Sequence, residues 1–308
     1  MFKRRCLYGD IGFLKRLFFW ALLREDIAWI LPDSLFFSFQ FHRVYGRPPD
    51  LENPRLFDEK IIWYNLHYRT PLMGRVVDKY AVRGYIEEKG FGSLLNDLYG
   101  VYDRPEQIDP DTLPRSFVIK ATHGSSMNII CRDKESLDWE EAKAGMSGWL
   151  GKNYYDFFRE WAYRDLRPRL ICERYLENEE FGELIDYKIY CYNDKPEVLF
   201  VCSGRYAPGG VRYNAYDMGW NRIYAYKGRP AVALDIERPS NLDEMIETAR
   251  ALCKGFPFVR VDLYSVGGRL IFGELTFYPD AGLCPFTPIE YNTFFGDLFR
   301  LPDKTPAV

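Results

Sequence analysis

Residues 260–276 read "RVDLYSVGGRLIFGELT", two apolar runs that meet at Gly267 and Gly268. Runs rich in Val, Leu, Ile, Tyr and Phe on either side of a glycine pair predict a β-hairpin. Yet one run carries Arg260 and Asp262, and the other carries Glu274. Side chains alternate faces along a strand, so Arg260 and Asp262 share one face while Val259, Val261 and Leu263 take the other. Phe272, Glu274 and Thr276 likewise share a face. A buried carboxylate without a partner is costly, so these acids need positive charge.

Two sources of that charge stand. Arg260 can neutralise both acids in a structural ion-pair cluster. Alternatively, Asp262 and Glu274 hold Mg²⁺, which takes a few carboxylate oxygens and leaves room for phosphate and water. Register tests the second reading. For Asp262 to oppose Glu274, the pairing must centre on residue 268. A plain two-residue turn would pair 262 with 273 and put Glu274 on the wrong face. The expectation is therefore a three-residue or other odd-length loop, of the kind a glycine bulge closes.

Upstream, "PSNLDEMIETARALCKGF" (239–256) predicts a helix. Ser240 or Asn241 would cap it, Leu242, Met245, Ala249 and Leu252 form its stripe, and Lys254-Gly255 end it. Before it come strand-like runs at 184–192, 197–205 and 222–227, with turns at Asn193-Asp194 and Gly209-Gly210. Further strands are expected at 116–122, 128–132 and 169–176, a helix from about Asp138, and a helix over 78–90 closed by Gly90. Residues 1–77, broken by "PDSLFF", "YGRPPDLENP" and "RTPL", read as helices and loops. The fold class is α+β with mostly antiparallel sheet. It divides into an N-terminal segment (1–77) and two subdomains (78–172 and 173–308).

The 308 residues are 47% hydrophobic and carry a net charge of −3, enough to bury a sizeable core and without the basic balance of a nucleic-acid binder. Seven cysteines form no CxxC pair, and Cys172, Cys191 and Cys202 fall in apolar runs, so they read as reduced, buried thiols. That places the protein in the cytoplasm. The longest uncharged apolar run near the start, Leu17 to Leu23, has seven residues, whereas about 20 are needed to span a bilayer. Gly9 and Asp10 interrupt the region where a signal peptide would be apolar. Residues 11–31 fit an amphipathic helix with a basic flank, which either packs on its own domain or touches an anionic membrane at the inner face.

The hairpin resembles the metal-binding end of the ATP-grasp superfamily, whose members use ATP to join a carboxylate to an amine or another nucleophile. In them an Asp and a Glu on neighbouring strands, about a dozen residues apart, hold Mg²⁺ against the β- and γ-phosphates; here twelve positions separate Asp262 from Glu274. The other parts follow in order. The resemblance assigns Lys79 and Lys120 to the phosphates, as point charges, and the "HGSS" loop to an anion cradle made by Gly124, Ser125 and Ser126. His123 stands in that loop, either on phosphate or as a structural histidine. Glu173 matches the acid that meets the adenine N6 group, Arg174, Tyr175 and Leu176 the backbone that reads the base edge, and Glu180 the ribose acid. Lys188 and Arg205 match basic residues near phosphate or substrate. Arg260 matches an arginine that holds the substrate carboxylate or acyl phosphate.

"NPRLFDEKIIWYN" (53–65), "DYK" (186–188) and "GELTF" (273–277) are most similar to the branch named for teichuronopeptide synthesis, the TupA-like ATP-grasp proteins of surface-polysaccharide genes. Two departures matter. The metal-binding Asn of the family, two residues past the Glu, is here Thr276, a weaker ligand that Asp280 could supplement. The strand-rich first domain of many ATP-grasp enzymes is replaced by a helical segment. The resemblance implies an ATP- and Mg²⁺-dependent carboxylate–amine ligase acting on a uronic-acid-type sugar, nucleotide- or lipid-linked, and a small amine or amino acid. A glycosyltransferase, a phosphotransferase on the same fold and a non-catalytic partner protein are the rival readings. A glycosyltransferase would need an Asp-x-Asp-type site at a strand end.

Overall fold

Local chemistry starts each helix. The structure is a computed structural model that describes residues 31–177, 184–204, 212–228 and 236–305. The first elements are α1 (Asp33–Tyr45), α2 (Phe57–His67), α3 (Pro71–Val77) and α4 (Ala81–Glu88). Gly46 ends α1 at φ +74°, and Pro71 opens α3, where its missing N–H costs nothing. Glu59, buried in the first turn of α2, accepts from the backbone N–H of Asp50, Arg55 and Leu56 at 3.0–3.2 Å. One carboxylate thus organises the whole entry to α2. The Asp78 carboxylate accepts from the N–H of Tyr80 and Ala81, starting α4. As expected, residues 31–77 form helices joined by loops, and Gly90 follows α4 at φ +85°.

A smaller antiparallel sheet has the order β1-β4-β2-β3, from β1 (Leu98–Tyr102), β2 (Phe117–Ala121), β3 (Asn128–Cys131) and β4 (Leu170–Arg174). Helix α5 (Trp139–Leu150) backs it, and Asp138 caps that helix as expected. Phe117, Ile119 and Ala121 pack against Ala142 and Met146. The alternation of β2 therefore turns Lys120 to the opposite face. Strand β1, with Gly100 in its middle, had no clear periodicity in the sequence. The short helix α6 (Tyr155–Phe158) follows α5.

The larger antiparallel sheet runs β11-β10-β5-β6-β7-β8. Its strands are β5 (Asp186–Tyr192), β6 (Lys195–Ser203), β7 (Arg212–Asp217), β8 (Arg222–Ile223), β10 (Phe258–Val266) and β11 (Arg269–Thr276). The run at 222–227 is not one strand. It breaks after Ile223, and β9 (Tyr226–Lys227) pairs instead with β12 (Phe286–Thr287). Helix α7 (Leu242–Leu252) buries its expected stripe on this sheet, and α8 (Glu290–Leu298) closes the chain. The expected side-chain cap of α7 does not form: the Asn241 amide donates to Ser265 Oγ at 3.0 Å instead. Phe57 of α2 sits among Tyr190, Tyr192, Phe258 and Phe286. The helical segment is thus built into the larger core rather than appended to it. Val82, Tyr85 and Ile86 of α4 join the same core.

Cys131, Cys172, Cys191, Cys202 and Cys253 are buried free thiols, as the apolar settings of Cys172, Cys191 and Cys202 implied. No helix among the described residues is long and apolar enough to cross a membrane. The amphipathic stretch at 11–31 lies outside them, apart from its last residue.

Candidate active site

The hairpin delivers the expected pairing by an unexpected route. Asp262 does oppose Glu274, but the loop is a two-residue turn in which Val266 pairs with Arg269. Gly267 and Gly268 lie at φ +57° and +77°, the left-handed conformations that a tight hairpin turn of this twist requires. The odd residue sits within β11: Gly273 bulges, and the register shifts between Asp262 and Leu263. A Cβ on Gly273 would stand 2.9 Å from the Asp262 carbonyl oxygen and 3.1 Å from the Tyr264 ring. The bulge thus depends on glycine, and it keeps both acids on one face.

On that face Arg260 grips both acids. Its Nε and Nη2 donate to the two Asp262 oxygens at 2.6 and 2.7 Å, and Nη2 also donates to Glu274 Oε1 at 3.0 Å and Thr276 Oγ1 at 3.1 Å. Lys188, opposite Asp262 on β5, donates to Asp262 Oδ2 and lies 3.7 Å from Asp186. Burial lowers the pKa of both Lys188 and Arg260, but Asp262 together with Asp186 beside Lys188, and with Tyr190 and Glu274 beside Arg260, holds each well above its ordinary value. Both therefore stay charged.

The smaller sheet adds cations from the other side. Lys120 donates to Glu173 Oε2 at 2.8 Å, and Arg83 reaches Glu173 Oε1 at 3.3 Å. Lys79 lies between α3 and α4. It donates through Nζ to the Gly124 carbonyl at 2.5 Å and through its backbone N–H to Thr122. Burial lowers the Lys79 pKa, and Lys120 lowers it further against the pull of Glu274. Burial pushes the Glu274 carboxyl up, yet Lys79, Arg260, Lys188 and Lys120 together hold it at about 2. Glu274 is where the cations of both sheets converge.

The "HGSS" loop is held from behind. His123 Nε2 faces the carbonyls of Trp149 and Lys152, each at 3.1 Å. In this arrangement His123 anchors the loop to the end of α5, the structural alternative. Burial lowers its pKa, favouring the neutral imidazole. A Cβ on Gly124 would collide with Met127 at 2.3 Å and with the Tyr154 ring at 2.8 Å. Ser126 takes a left-handed φ of +62°, and Ser125 and Ser126 remain exposed.

At the hinge, Arg174 pairs with Asp97 at 3.4 Å. A cavity of about 530 Å³ lies between Arg174, Tyr175 and Leu176 and the hairpin residues Val266, Arg269 and Ile271. It does not reach the lysines or Asp262. Glu180 and Arg205 lie outside the described residues.

The donor set fits Mg²⁺ only in part. Asp262, Glu274 and Thr276 cluster, but no group of three His, Cys, Asp or Glu side chains among the described residues could hold a metal. Two carboxylates suffice when phosphate and water complete the shell. Asp280 does not join them: it pairs at 3.3 Å with Lys227, which also meets buried Asp58 at 3.5 Å.

Sequence reasoning missed Glu160. It is 6% exposed, and its carboxylate forms no hydrogen bond or ion pair with any described residue, while its carbonyl accepts from the Tyr163 N–H at 3.0 Å. Burial, then Asp280 and Glu274, push its carboxyl up to about 8, opposed only by Arg260. It lies in a short connection, and no motif marks it. Arg83, which fixes Glu173, was equally silent.

Two antiparallel sheets, an Asp–Glu pair on neighbouring strands and lysines that converge on Glu274 are the features that the resemblance to the ATP-grasp superfamily implied. The chain belongs to the TupA-like ATPgrasp family, whose model matches residues 59–300. No curated protein matches its sequence. Among solved structures, D-alanine–D-alanine ligase from Bacillus anthracis in complex with ATP is 14% identical with a TM-score of 0.40, over 66% of this chain and 55% of that one. The ATP-grasp ligase PsnB bound to a phosphomimetic precursor variant, Mg and ADP is 12% identical with a TM-score of 0.41, over 78% and 63%. N5-carboxyaminoimidazole ribonucleotide synthetase in its ADP complex is 16% identical with a TM-score of 0.39, over 70% and 49%. The chain spans about half to two thirds of the length of these proteins, and the family assignment does not rest on them.

Proposed function

We propose that the chain is an ATP- and Mg²⁺-dependent carboxylate–amine ligase that acts through an acyl phosphate. The substrate carboxylate attacks the γ-phosphate, ADP leaves, and an amine then displaces phosphate to form an amide. The observation that carries this reading is the convergence of Lys79 and Lys120 with Arg260 and Lys188 on Glu274. Lys188 and Lys120 also meet Asp186 and Glu173, but the Lys79 ammonium forms no ion pair with a described carboxylate and donates to the Gly124 carbonyl, leaving a positive charge that a polyphosphate would complement.

Lys79, Lys120 and the N–H groups of Gly124, Ser125 and Ser126 would bind the phosphates. Glu173, with the Arg174–Leu176 backbone, would take the base, and Glu180 the ribose. Asp262 and Glu274, assisted by Thr276, would hold Mg²⁺, which supplies charge neutralisation at the transferring phosphoryl group. Arg260 would pass from bridging the acids to holding the acyl phosphate, with Arg205 and Lys188 beside it. The family name supports a uronic-acid-type carboxylate in surface polysaccharide as the substrate, and the basic stretch before residue 31 suits a reaction at the inner membrane face.

Calorimetric titration with a non-hydrolysable ATP analogue, with and without Mg²⁺, tests the site. Metal-dependent binding that Glu274→Gln abolishes is expected. Phosphate release on mixing ATP, uronic acids and amines would then identify the substrates. Absence of nucleotide binding under both conditions would return Asp262 and Glu274 to a structural ion-pair cluster.

A further inference from the structure

Glu173 is held by two cations of different kinds. Lys120 stands opposite Ile171, so Lys120 and Glu173 share the face of the smaller sheet turned away from α5. Lys120 Nζ donates to Glu173 Oε2 at 2.8 Å, and Arg83 Nη1 donates to Glu173 Oε1 at 3.3 Å. Each carboxylate oxygen thus has its own donor. The second prong of the Arg83 fork is fixed as well: Nη2 donates to the Asn96 carbonyl at 2.9 Å, and Asn96 Nδ2 donates in turn to the Arg174 carbonyl at 2.8 Å. Arg83 is therefore tied to the end of β4, the strand that carries Glu173. Lys120 is not tied in this way. Its ammonium has no other hydrogen bond or ion pair among the described residues, and its side chain is 30% exposed against 17% for Arg83.

A lysine that swings to a phosphate leaves the carboxylate behind, and a buried carboxylate stripped of its partner is strongly destabilising. Arg83 prevents that, because Glu173 keeps one cation throughout. Once Lys120 has left, Oε2 can accept a hydrogen bond and cannot donate one. It suits a base that presents an amino group at that edge, as adenine does. It opposes the carbonyl oxygen that guanine presents there, acceptor against acceptor.

We propose that Arg83 is a positioning residue of the nucleotide site: it holds Glu173 while Lys120 is released to phosphate, and so sets the preference for an amino-bearing base. The inference rests on the ligase reading, in which Lys120 meets phosphate and Glu173 the base, and adds the residue that makes the two roles compatible.

The test is a double-mutant cycle on the full chain, read by calorimetric titration with Mg²⁺ and non-hydrolysable analogues of ATP and GTP. Arg83→Met should weaken the ATP analogue about tenfold or more. It should also narrow the ratio of affinities for the ATP and GTP analogues, because Lys120 then stays on Glu173. Arg83→Lys, which keeps a cation for Glu173 on a less rigid arm, should lose less. In a Glu173→Gln background Lys120 has no carboxylate to leave, so adding Arg83→Met should weaken the ATP analogue only about threefold or less. Should Arg83→Met fail to fold, Arg83→Lys enters the same cycle, with the smaller loss again expected in the Glu173→Gln background. An equal loss in both backgrounds would mean that Arg83 acts only as a structural residue or a general positive charge, and would overturn the proposal. An unchanged ATP-to-GTP ratio in Arg83→Met would overturn it too, and either result leaves nucleotide binding by the wild type intact. Failure of both analogues to bind the wild type is a separate result and would remove the ligase reading itself.

Discussion

Gly273→Ala puts the register argument at risk in one atom. The added methyl would lie 2.9 Å from the Asp262 carbonyl oxygen, 3.3 Å from its carbon and 3.1 Å from Tyr264 Cε2. The nearest obstacle is backbone, in the centre of a paired sheet, so β11 must shift away from β10. Overpacking of this sort costs about 1–3 kcal/mol. Its functional effect should be larger than its structural one. Arg260 bridges Asp262 and Glu274 with contacts of 2.6–3.0 Å, and a shift of a few tenths of an ångström at the bulge separates the two acids directly. We expect a lower urea midpoint with an unchanged slope, and Mg²⁺-dependent nucleotide affinity reduced by about tenfold or more. Gly145→Ala is the control. Gly145 lies within α5 with nothing within 4 Å of its would-be Cβ, so alanine there should be neutral or stabilise by up to about 1 kcal/mol. If Gly273→Ala matched the wild type in both stability and Mg²⁺-dependent affinity, the bulge would not be what sets the acid pair.

Two further outcomes follow from the buried polar groups. Buried Asn65 of α2 donates through Nδ2 to the Arg159 carbonyl at 2.8 Å and accepts through Oδ1 from the Trp161 N–H at 2.9 Å. Asn65→Ala removes this bracket around Glu160 and leaves the Trp161 N–H and Arg159 carbonyl unpaired, which should destabilise the chain by about 1–3 kcal/mol in urea denaturation; no loss would mean that water replaces the amide. Glu160→Gln should change the pH dependence of stability. The Glu160 carboxyl is raised in the folded state to about 8 from an ordinary 4.5, so its contribution is fully present below 4.5 and is lost as pH rises towards 8. The variant should therefore match the wild type in acid and gain on it between about pH 4.5 and 8, with a slope no steeper than about 1.4 kcal/mol per pH unit; parallel profiles across that window would show Glu160 to be unperturbed.

What the sequence disclosed and what it withheld divide along a physical line. Periodicity found the strands and helices whose faces are uniformly apolar, such as β2 and α7. It missed β1, whose residues are only partly buried and whose centre is Gly100. It read 222–227 as one strand because alternation cannot show that a chain changes sheets between Ile223 and Tyr226. The acid pair was legible because two charges in an apolar hairpin demand an explanation. The bulge was misplaced into the turn because Gly267, Gly268 and Gly273 look alike in sequence, and only the pairing shows which is surplus. Lys79 and Lys120 stood out through order along the chain. Glu160 did not, because the Asn65 side chain that brackets its peptides lies far away in sequence.

Under the ligase reading, the ion-pair cluster and the metal site at Asp262 and Glu274 are one arrangement in two conditions of charge. Without nucleotide, two buried acids need cations, and Arg260 and Lys188 supply them at hydrogen-bonding distance. Lys79, which forms no ion pair with a described carboxylate, adds a further positive charge that attracts polyphosphate. Arrival of phosphate together with Mg²⁺ would allow Arg260 to release the acids without leaving either unpaired, since each group exchanges one charged partner for another. A pure structural cluster would have no reason to recruit Lys120 from the other sheet and Lys79 from the connection between α3 and α4. Removing Arg260 should therefore harm the nucleotide-free protein most. Arg260→Met should unfold at a lower urea concentration than the wild type, and Mg²⁺ with the ATP analogue should recover more stability in the variant than in the wild type. Equal recovery in the two proteins would mean that Arg260 never yields its acids to the metal.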